Sequence, residues 1–203
     1  MARPKTDNRT ALVDSALSTF WKTGYHVVSM TDLVQATGVS RGGIYSDFSG
    51  KQALFHACLD RYQDDFVTPY LAPVEKQDAG ITAIRAYLES IISAVESSDS
   101  PSMGCLVVNT LAQLDPDDTE TRALLEAHIQ RQQNAFYTAI SNENKLENNL
   151  SETEIEMLAE FVTTSIQGLA ARYRMAEDTQ PMRLYAESLM QMLKARLHKN
   201  KTL

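Results

Sequence analysis

The most constraining feature of this sequence is that apolar side chains recur at helical spacing along nearly its whole length. In the first such segment they fall at i, i+1, i+4 and i+5, which places them on one stripe of a helix: Leu12, Val13, Ala16, Leu17, Phe20 and Trp21. No segment shows convincing strand alternation, and no internal repeat is evident. The sequence therefore predicts an all-α protein with about nine helices.

Capping residues locate the ends of these predicted helices. Gly24 ends the first helix, Ser29 and Ser40 precede two short helices, and Lys51 opens a longer fourth helix. Five further helices are predicted from Ile81 to Val95, Pro101 to Leu114, Asp117 to about Asn144, Ser151 to about Met175, and from Pro181 onwards, with residues 142–149 as a polar loop.

The composition is that of an ordinary globular chain. Of the 203 residues, 43% are hydrophobic and 22% are charged, which excludes a disordered or collagen-like chain. No stretch approaches the roughly 20 apolar residues that span a bilayer, and the polar N-terminus lacks the apolar core of a signal peptide. The two cysteines, Cys58 and Cys105, are expected to be free thiols in a reducing cytosol. We therefore expect a soluble cytoplasmic protein.

The charge is distributed unevenly between the two ends of the chain. The net charge is −7, but residues 1–51 carry six basic and four acidic side chains, whereas the remainder is strongly acidic. A mildly basic head on an acidic body is compatible with a DNA-binding module attached to another domain. We accordingly expect a domain boundary between residues 1–51, the candidate DNA-binding module, and residues 52–203.

The most informative segment runs from Thr31 to Phe48. Two short helices joined by a turn that contains Gly38 form the helix-turn-helix pattern, whose second helix enters the DNA major groove. Two successive glycines inside that second helix break a local rule, since each costs about 1 kcal/mol relative to alanine. Their absent side chains would let the helix approach DNA closely, although a simple loop between packed helices remains an alternative.

The residues expected to contact DNA lie on or beside this second helix. Arg41 can reach the O6 and N7 atoms of guanine, while Tyr45 and Ser46 offer hydroxyl groups. Free N–H groups at the starts of the second and fourth helices favour phosphate. The predicted DNA-binding residues are Ser29, Thr31, Ser40, Arg41, Gly42, Gly43, Tyr45, Ser46 and Lys51. Ile44 and Phe48 are expected to face the core.

The run from Arg9 to Lys51 resembles the N-terminal domain of TetR-type transcriptional regulators. The matching features are an aromatic-rich first helix ending in Gly24-Tyr25, then Ser29-Met30-Thr31-Asp32-Leu33, Gly38-Val39-Ser40, Gly43-Ile44-Tyr45, Phe48 and Lys51. The resemblance implies a dimeric, two-domain regulator, most often a repressor, that binds a pseudo-palindromic operator. It assigns DNA binding to residues 1–51 and makes residues 52–203 a variable effector-binding and dimerisation domain. Asp47 departs from the family pattern, which often has a neutral or basic residue at this position. An acid there would repel nearby phosphate.

The resemblance also implies an effector site within helices four to seven, but the ligand stays unidentified. Polar candidates for contacting it are Tyr62, Tyr87, Asn109 and His128, with His56 and Tyr137 as further possibilities; each is also compatible with a core role. Cys105 is the sharpest candidate, since Gly104-Cys105-Leu106 resembles a subgroup that includes cysteine-based sensors. Its predicted place near the start of helix six would lower the pKa of the thiol. Packing as a small hydrophobe is the alternative.

Helices eight and nine are expected to form a homodimer face. Small residues would let two helices approach closely, and larger apolar residues would supply area: Thr163, Thr164, Ser165, Gly168, Ala170 and Ala171, then Phe161, Ile166, Leu169, Met190 and Leu193. Ordinary intramolecular core is the alternative. Two-fold symmetry would match a pseudo-palindromic operator.

Two other functional classes are alternatives to a DNA-binding regulator: an enzyme, and a ligand-binding or adaptor protein. An enzyme is not expected, because none of the four histidines has a glutamate three residues before it and no nucleotide-binding, hydrolase or zinc-protease motif occurs. No catalytic residue, metal site or cofactor is predicted. The second alternative is a helical ligand-binding or adaptor protein without specific DNA binding. Such a protein should have lost DNA-contacting residues from its N-terminal domain, whereas Arg41, Tyr45 and Lys51 are all present.

Overall fold

The computed structural model describes residues 5–97, 102–147, 149–174 and 178–198, with the side chains of residues 5–8 and 147 left undescribed. Within these ranges the chain is helical and contains no strand, which confirms the all-α prediction. Nine helical elements are present there: α1 (Lys5–Thr23), α2 (Met30–Thr37), α3 (Arg41–Phe48), α4 (Lys51–Tyr62, continued by a π-helical turn Gln63–Val67 and by Thr68–Leu71), α5 (Ile81–Glu96), α6 (Leu106–Leu111), α7 (Thr119–Glu147), α8 (Glu152–Tyr173) and α9 (Gln180–Leu197).

The described residues fall into two compact units. The head unit comprises Met1–Val67 with Cys105–Leu125, and the body unit comprises Thr68–Gly104 with Glu126–Leu203. In the head unit, α1 packs on α2 and α4, and α3 packs on α4. Its core contains the fully buried side chains of Leu12, Phe20, Leu33, Ile44 and Phe55, as the apolar stripes predict.

An aromatic cluster joins α1 to the end of the first segment of α4 in the head unit. The indole of Trp21 meets Tyr62 and Phe66 edge to face, with ring centroids 4.9 and 4.8 Å apart. Tyr62 is buried whereas Phe66 is partly exposed. Such edge-to-face pairs add to the stabilisation from area burial, so this cluster fixes α1 against the turn where α4 becomes π-helical.

In the body unit, α9 packs against both α5 and α8. Ion pairs reinforce the contact between α5 and α9: Arg183 Nη2 lies 2.6 Å from Glu96 Oε2, and Arg85 Nη1 lies 3.0 Å from Glu187 Oε2. These side chains are partly exposed, so each pair contributes little to stability. The apolar packing of Ile84, Leu88, Ile92, Val162, Met190 and Leu193 dominates.

The structure corrects two predicted elements. Helix α6 begins at Leu106 rather than Pro101, which lies outside the described residues, because Gly104 has a left-handed backbone with φ +68°. Cys105 therefore precedes α6 as its N-cap instead of lying within a helix. Helix α7 continues to Glu147, through part of the predicted loop, because the side chain of Asn144 accepts hydrogen bonds from the Asn149 and Leu150 N–H groups. The predicted end of helix eight at Met175 also lies outside the described residues.

Candidate nucleic-acid interface

Helix α3 presents two contrasting faces. Ile44 and Phe48 are buried in the head unit, whereas Arg41, Tyr45 and Ser46 are exposed. Ser40 caps the helix, and its Oγ accepts a hydrogen bond from the Gly43 N–H at 3.2 Å. The predicted recognition face is therefore turned towards solvent, with its arginine in the first turn.

The two glycines of α3 differ in their surroundings. A Cβ placed on Gly43 would lie 2.7 Å from Cγ1 of Val39, too close for a real contact. A Cβ on Gly42 would meet no described atom within 4 Å. Gly43 is therefore required by the turn between α2 and α3, whereas nothing in the described chain requires Gly42 to lack a side chain.

Three cations of the head unit lie over aromatic rings. The guanidinium carbon of Arg41 is 5.8 Å from the centroid of Tyr45, and Nζ of Lys51 is 4.5 Å from that of Tyr25. Partial burial lowers the pKa of Lys51, an effect that the nearby Asp32 carboxylate opposes. Lys51 is the first residue of α4, and its amine is less solvated than that of a fully exposed lysine.

The third cation, Arg9 on α1, was not among the predicted site residues. Its guanidinium carbon lies 4.4 Å from the ring centroid of Phe48, the last residue of α3. The sequence signal was present in a basic residue on the polar side of α1. Its proximity to α3 depends on tertiary packing and could not be predicted from spacing.

The start of α2 has the predicted capping box. The hydroxyl of Ser29 accepts a hydrogen bond from the Asp32 N–H and donates one to the Asp32 carboxylate, which in turn accepts from the Ser29 N–H. Thr31 is exposed in the first turn. Ser29 is thereby committed to holding the helix end, so a phosphate there would be met by the exposed backbone and Thr31.

Three of the predicted effector residues, Tyr62, Cys105 and Asn109, lie in the head unit, and the pKa of Cys105 shifts opposite to the predicted direction. Burial raises the pKa of the Cys105 thiol, although hydrogen bonds from the Tyr62 hydroxyl and from the N–H groups of Val108 and Val107 oppose the change. Tyr62 and Asn109 are both buried. The pKa of this thiol is thus raised rather than lowered, because desolvation outweighs the hydrogen bonds at the helix start. Cys58 is a free thiol as predicted; it is buried, and its Sγ donates a hydrogen bond to the Val13 carbonyl.

The remaining effector candidates lie in the body unit. The Tyr87 hydroxyl accepts a hydrogen bond from Gln132 Nε2 at 3.2 Å. His128 is 4% exposed, and burial together with the positive charge of Arg131 lowers its pKa to about 4. Neither residue lines the body-unit surface groove of about 480 Å³ that is formed by Glu75, Ala127, Gln130, Arg131, Asn134, Ala135 and Thr138. Of the two secondary candidates, His56 bonds Thr121 in the head unit and Tyr137 bonds Glu152 in the body unit.

The predicted dimer face divides into a buried and an exposed part. Thr163, Ile166, Leu169, Met190 and Leu193 are buried within the single chain, so they belong to its intramolecular core. Phe161, Thr164, Gly168 and Ala171 are exposed on α8. Three large residues outside the predicted dimer face are also exposed on α8 and α9: Met157, Leu184 and Met192. We call the exposed set Met157, Phe161, Thr164, Gly168, Ala171, Leu184, Ser188 and Met192 the outer α8–α9 face.

The described residues contain neither a candidate metal site nor a candidate membrane-spanning helix. No group of three or more His, Cys, Asp and Glu side chains within them could hold a metal ion. Across the same ranges, no helix is both long and apolar enough to cross a bilayer.

A helix-turn-helix with an exposed, arginine-bearing second helix defines this chain as a DNA-binding protein of the helix-turn-helix class. The family model of bacterial regulatory proteins of the tetR family matches residues 12–58, and that of the tetracyclin repressor-like C-terminal domain matches residues 80–189. The chain therefore belongs to the TetR family of transcriptional regulators, whose members are dimeric.

Individual relatives agree with this assignment. The HTH-type transcriptional repressor ComR of Escherichia coli K12 is 31% identical over 173 residues, which cover 85% of this chain and 82% of ComR. A TetR regulator from Chloroflexus aurantiacus superimposes with a TM-score of 0.80 at 21% identity, covering 94% of this chain and 96% of its own. A cysteine-substituted variant of the TetR-family regulator CifR, bound to 26-base-pair operator DNA, superimposes with a TM-score of 0.80 at 20% identity. The match covers 94% of this chain and 98% of the CifR chain. The two structures share the fold of this chain.

Proposed function

We propose that this protein is a dimeric repressor that reads a pseudo-palindromic operator through the exposed face of α3. The proposal is carried by one exposed face of α3, which presents Arg41, Tyr45 and Ser46 to solvent. Beside them, no described atom would lie within 4 Å of a Cβ on Gly42, so DNA can approach the helix backbone there. An arginine there can bind guanine O6 and N7 in the major groove. Ser40, Thr31 and Lys51 are assigned to phosphate, together with the exposed N–H groups at the start of α2.

Repression is supported by the name of the relative ComR, a transcriptional repressor that matches most of this chain. A repressor is released when a ligand binds the DNA-incompetent conformation more tightly than the competent one. We assign release to a small molecule rather than to modification of Cys105, because the raised pKa of that thiol disfavours the reactive thiolate. Such a regulator acts on chromosomal DNA in the cytoplasm.

Dimerisation through the outer α8–α9 face is part of the same proposal. Gly168 lies inside a 22-residue helix, and a Cβ there would meet no described atom within 4 Å. Together with Met157, Phe161, Leu184 and Met192 it forms an exposed apolar surface on a helix pair. A second copy packed on it would bury this area and allow close helix approach.

The experiment is selection of source-genome fragments by the purified protein against excess random competitor, near physiological salt, with and without reductant. The proposal predicts recovery of a palindromic site under both conditions. Recovery that depends on reductant would restore Cys105 as the sensing group. No enrichment in either condition would favour the alternative of a helical ligand-binding or adaptor protein without specific DNA binding.

Variants of the head then separate base reading from phosphate binding. Arg41→Ala should cost about 1–3 kcal/mol on the selected operator and much less on random DNA. Lys51→Ala should weaken binding to both DNAs alike. Equal losses on both DNAs for Arg41→Ala would refute its role in reading bases.

A further inference from the structure

We propose that Arg9, on α1 and outside the helix-turn-helix, is a DNA-phosphate contact that serves the C-terminal end of α3. The inference rests on the proposed function and extends the DNA-binding surface to a helix that the helix-turn-helix pattern does not include. Its starting point is the position of the Arg9 guanidinium, 4.4 Å from the centroid of Phe48.

The guanidinium group of Arg9 is available to bind DNA. The head unit contains four described arginines, and two of them are engaged by protein oxygens. Arg61 pairs with Asp14 and Asp65, and Arg122 donates to the Pro116 carbonyl. Arg9 and Arg41 make no ion pair with any described residue, and each lies over an aromatic ring of α3. Arg9 is also exposed.

Arg41 and Phe48 are the first and last residues of α3. At 1.5 Å per residue they are separated by roughly 10 Å along the axis, close to the roughly 12 Å width of the major groove. The major groove is bounded by two phosphate backbones, so a helix of this length that lies in it can bring its C-terminal end, as well as its N-terminal end, within reach of phosphate. Arg41 and Arg9, which have no ion pair among the described residues, therefore lie near the two ends of α3.

The second half of α3 carries an acid, Asp47, and no cation of its own. The helix C-terminus adds a partial negative charge. Without another cation, this end of α3 would repel the phosphates that it approaches. Arg9 supplies the missing positive charge from a neighbouring helix, and the buried ring of Phe48 holds it in place.

The test is the salt dependence of binding to a short random-sequence duplex, which needs no knowledge of the operator. Each neutralised phosphate contributes about 0.9 to the slope of log K against log salt concentration. Arg9→Gln should reduce the slope by about 0.9 per protomer and should weaken operator and random DNA alike, by about tenfold. Arg9→Lys, which keeps the charge, should retain the slope.

Arg61→Gln is the matched control, because it removes a guanidinium of the same unit that is already engaged by acids. It should leave the slope unchanged, and thermal unfolding should show that both glutamine variants are folded. An unchanged slope in Arg9→Gln would overturn the inference and would leave Arg9 as a cation that merely complements the end of α3. If the parent protein bound neither DNA, the proposed function would fail, and this inference with it.

Discussion

At the scale of single residues, the two glycines of α3 separate what folding requires from what binding requires. Alanine at position 42 should raise the free energy of unfolding by up to about 1 kcal/mol, because the described chain leaves space for its methyl group. Alanine at position 43 should lower it, because its Cβ would lie 2.7 Å from the Val39 side chain. Urea denaturation of Gly42→Ala and Gly43→Ala measures both effects.

The binding measurement on the same variants gives the converse result. Gly42→Ala should weaken operator binding while the protein becomes more stable, because the methyl group occupies space that DNA needs. Operator affinity equal to that of the parent would show that DNA does not come close to residue 42.

His128 provides a second prediction at this scale. Burial lowers its pKa in the folded protein to about 4, below the value near 6.5 of an unfolded chain. Between these two pH values the unfolded state therefore binds more protons than the folded state. The contribution of the neutral His128 to the free energy of unfolding is fully present above about pH 6.5 and is lost as the pH falls towards 4. Between pH 7 and pH 5 the loss due to this residue is about 2 kcal/mol.

Denaturant unfolding of the parent and of His128→Gln at both pH values measures this contribution. Glutamine cannot be protonated, so the variant should lose less stability than the parent on acidification, by about the same 2 kcal/mol. Parallel pH dependence in the two proteins would mean that the imidazole is not desolvated.

At the scale of elements, capping residues are the sequence signals that predicted helix boundaries well. Ser29, Ser40 and Ser151 each precede a helix in the structure, because a side-chain oxygen there satisfies an N–H group that the helix leaves unpaired. The predictions for α6 and α7 were wrong where the deciding interactions are less local. The backbone of Gly104 adopts a left-handed conformation, and Asn144 bonds residues beyond the helix.

The capping box of α2 leads to a prediction for an element. Ser29→Ala should lower the free energy of unfolding by about 1 kcal/mol, because the Asp32 N–H loses its side-chain partner. Ser15→Ala is the matched control, since the Ser15 hydroxyl bonds the Ala11 carbonyl within α1 and caps nothing. That variant should be neutral or slightly stabilising in the same denaturation experiment. Equal losses in the two variants would contradict a specific capping role.

At the scale of the whole molecule, the proposed dimer depends on residues that the single chain leaves exposed. Leu184 is 60% exposed on α9, so Leu184→Glu should leave the fold intact while placing a charge in the interface. We expect dissociation to monomers in sedimentation equilibrium and loss of tight operator binding. Leu146→Glu is the control, because Leu146 is 79% exposed on α7 and outside the outer α8–α9 face. A dimeric Leu184→Glu would place the interface elsewhere.

The sequence predicted the helical fold and the recognition helix because both depend on local spacing and capping. It was less informative about surfaces formed by tertiary packing. Helical periodicity marks a residue as apolar but does not distinguish an intramolecular core from an interface, which is why Met190 and Leu193 were assigned to the dimer face and Leu184 was not. The cation at Arg9 was missed for a similar reason, since α1 and Phe48 are brought together only by folding.

The aromatic cluster of the head unit has a practical consequence. Trp21 is the single tryptophan of the chain, and its indole touches Tyr62, whose hydroxyl bonds the sulfur of Cys105. Indole fluorescence responds to the polarity and motion of its immediate surroundings. The unlabelled protein therefore carries one optical reporter in the head unit, linked to Cys105 through Tyr62, and a ligand that alters the packing of Tyr62 can be detected from the emission spectrum before any operator is known.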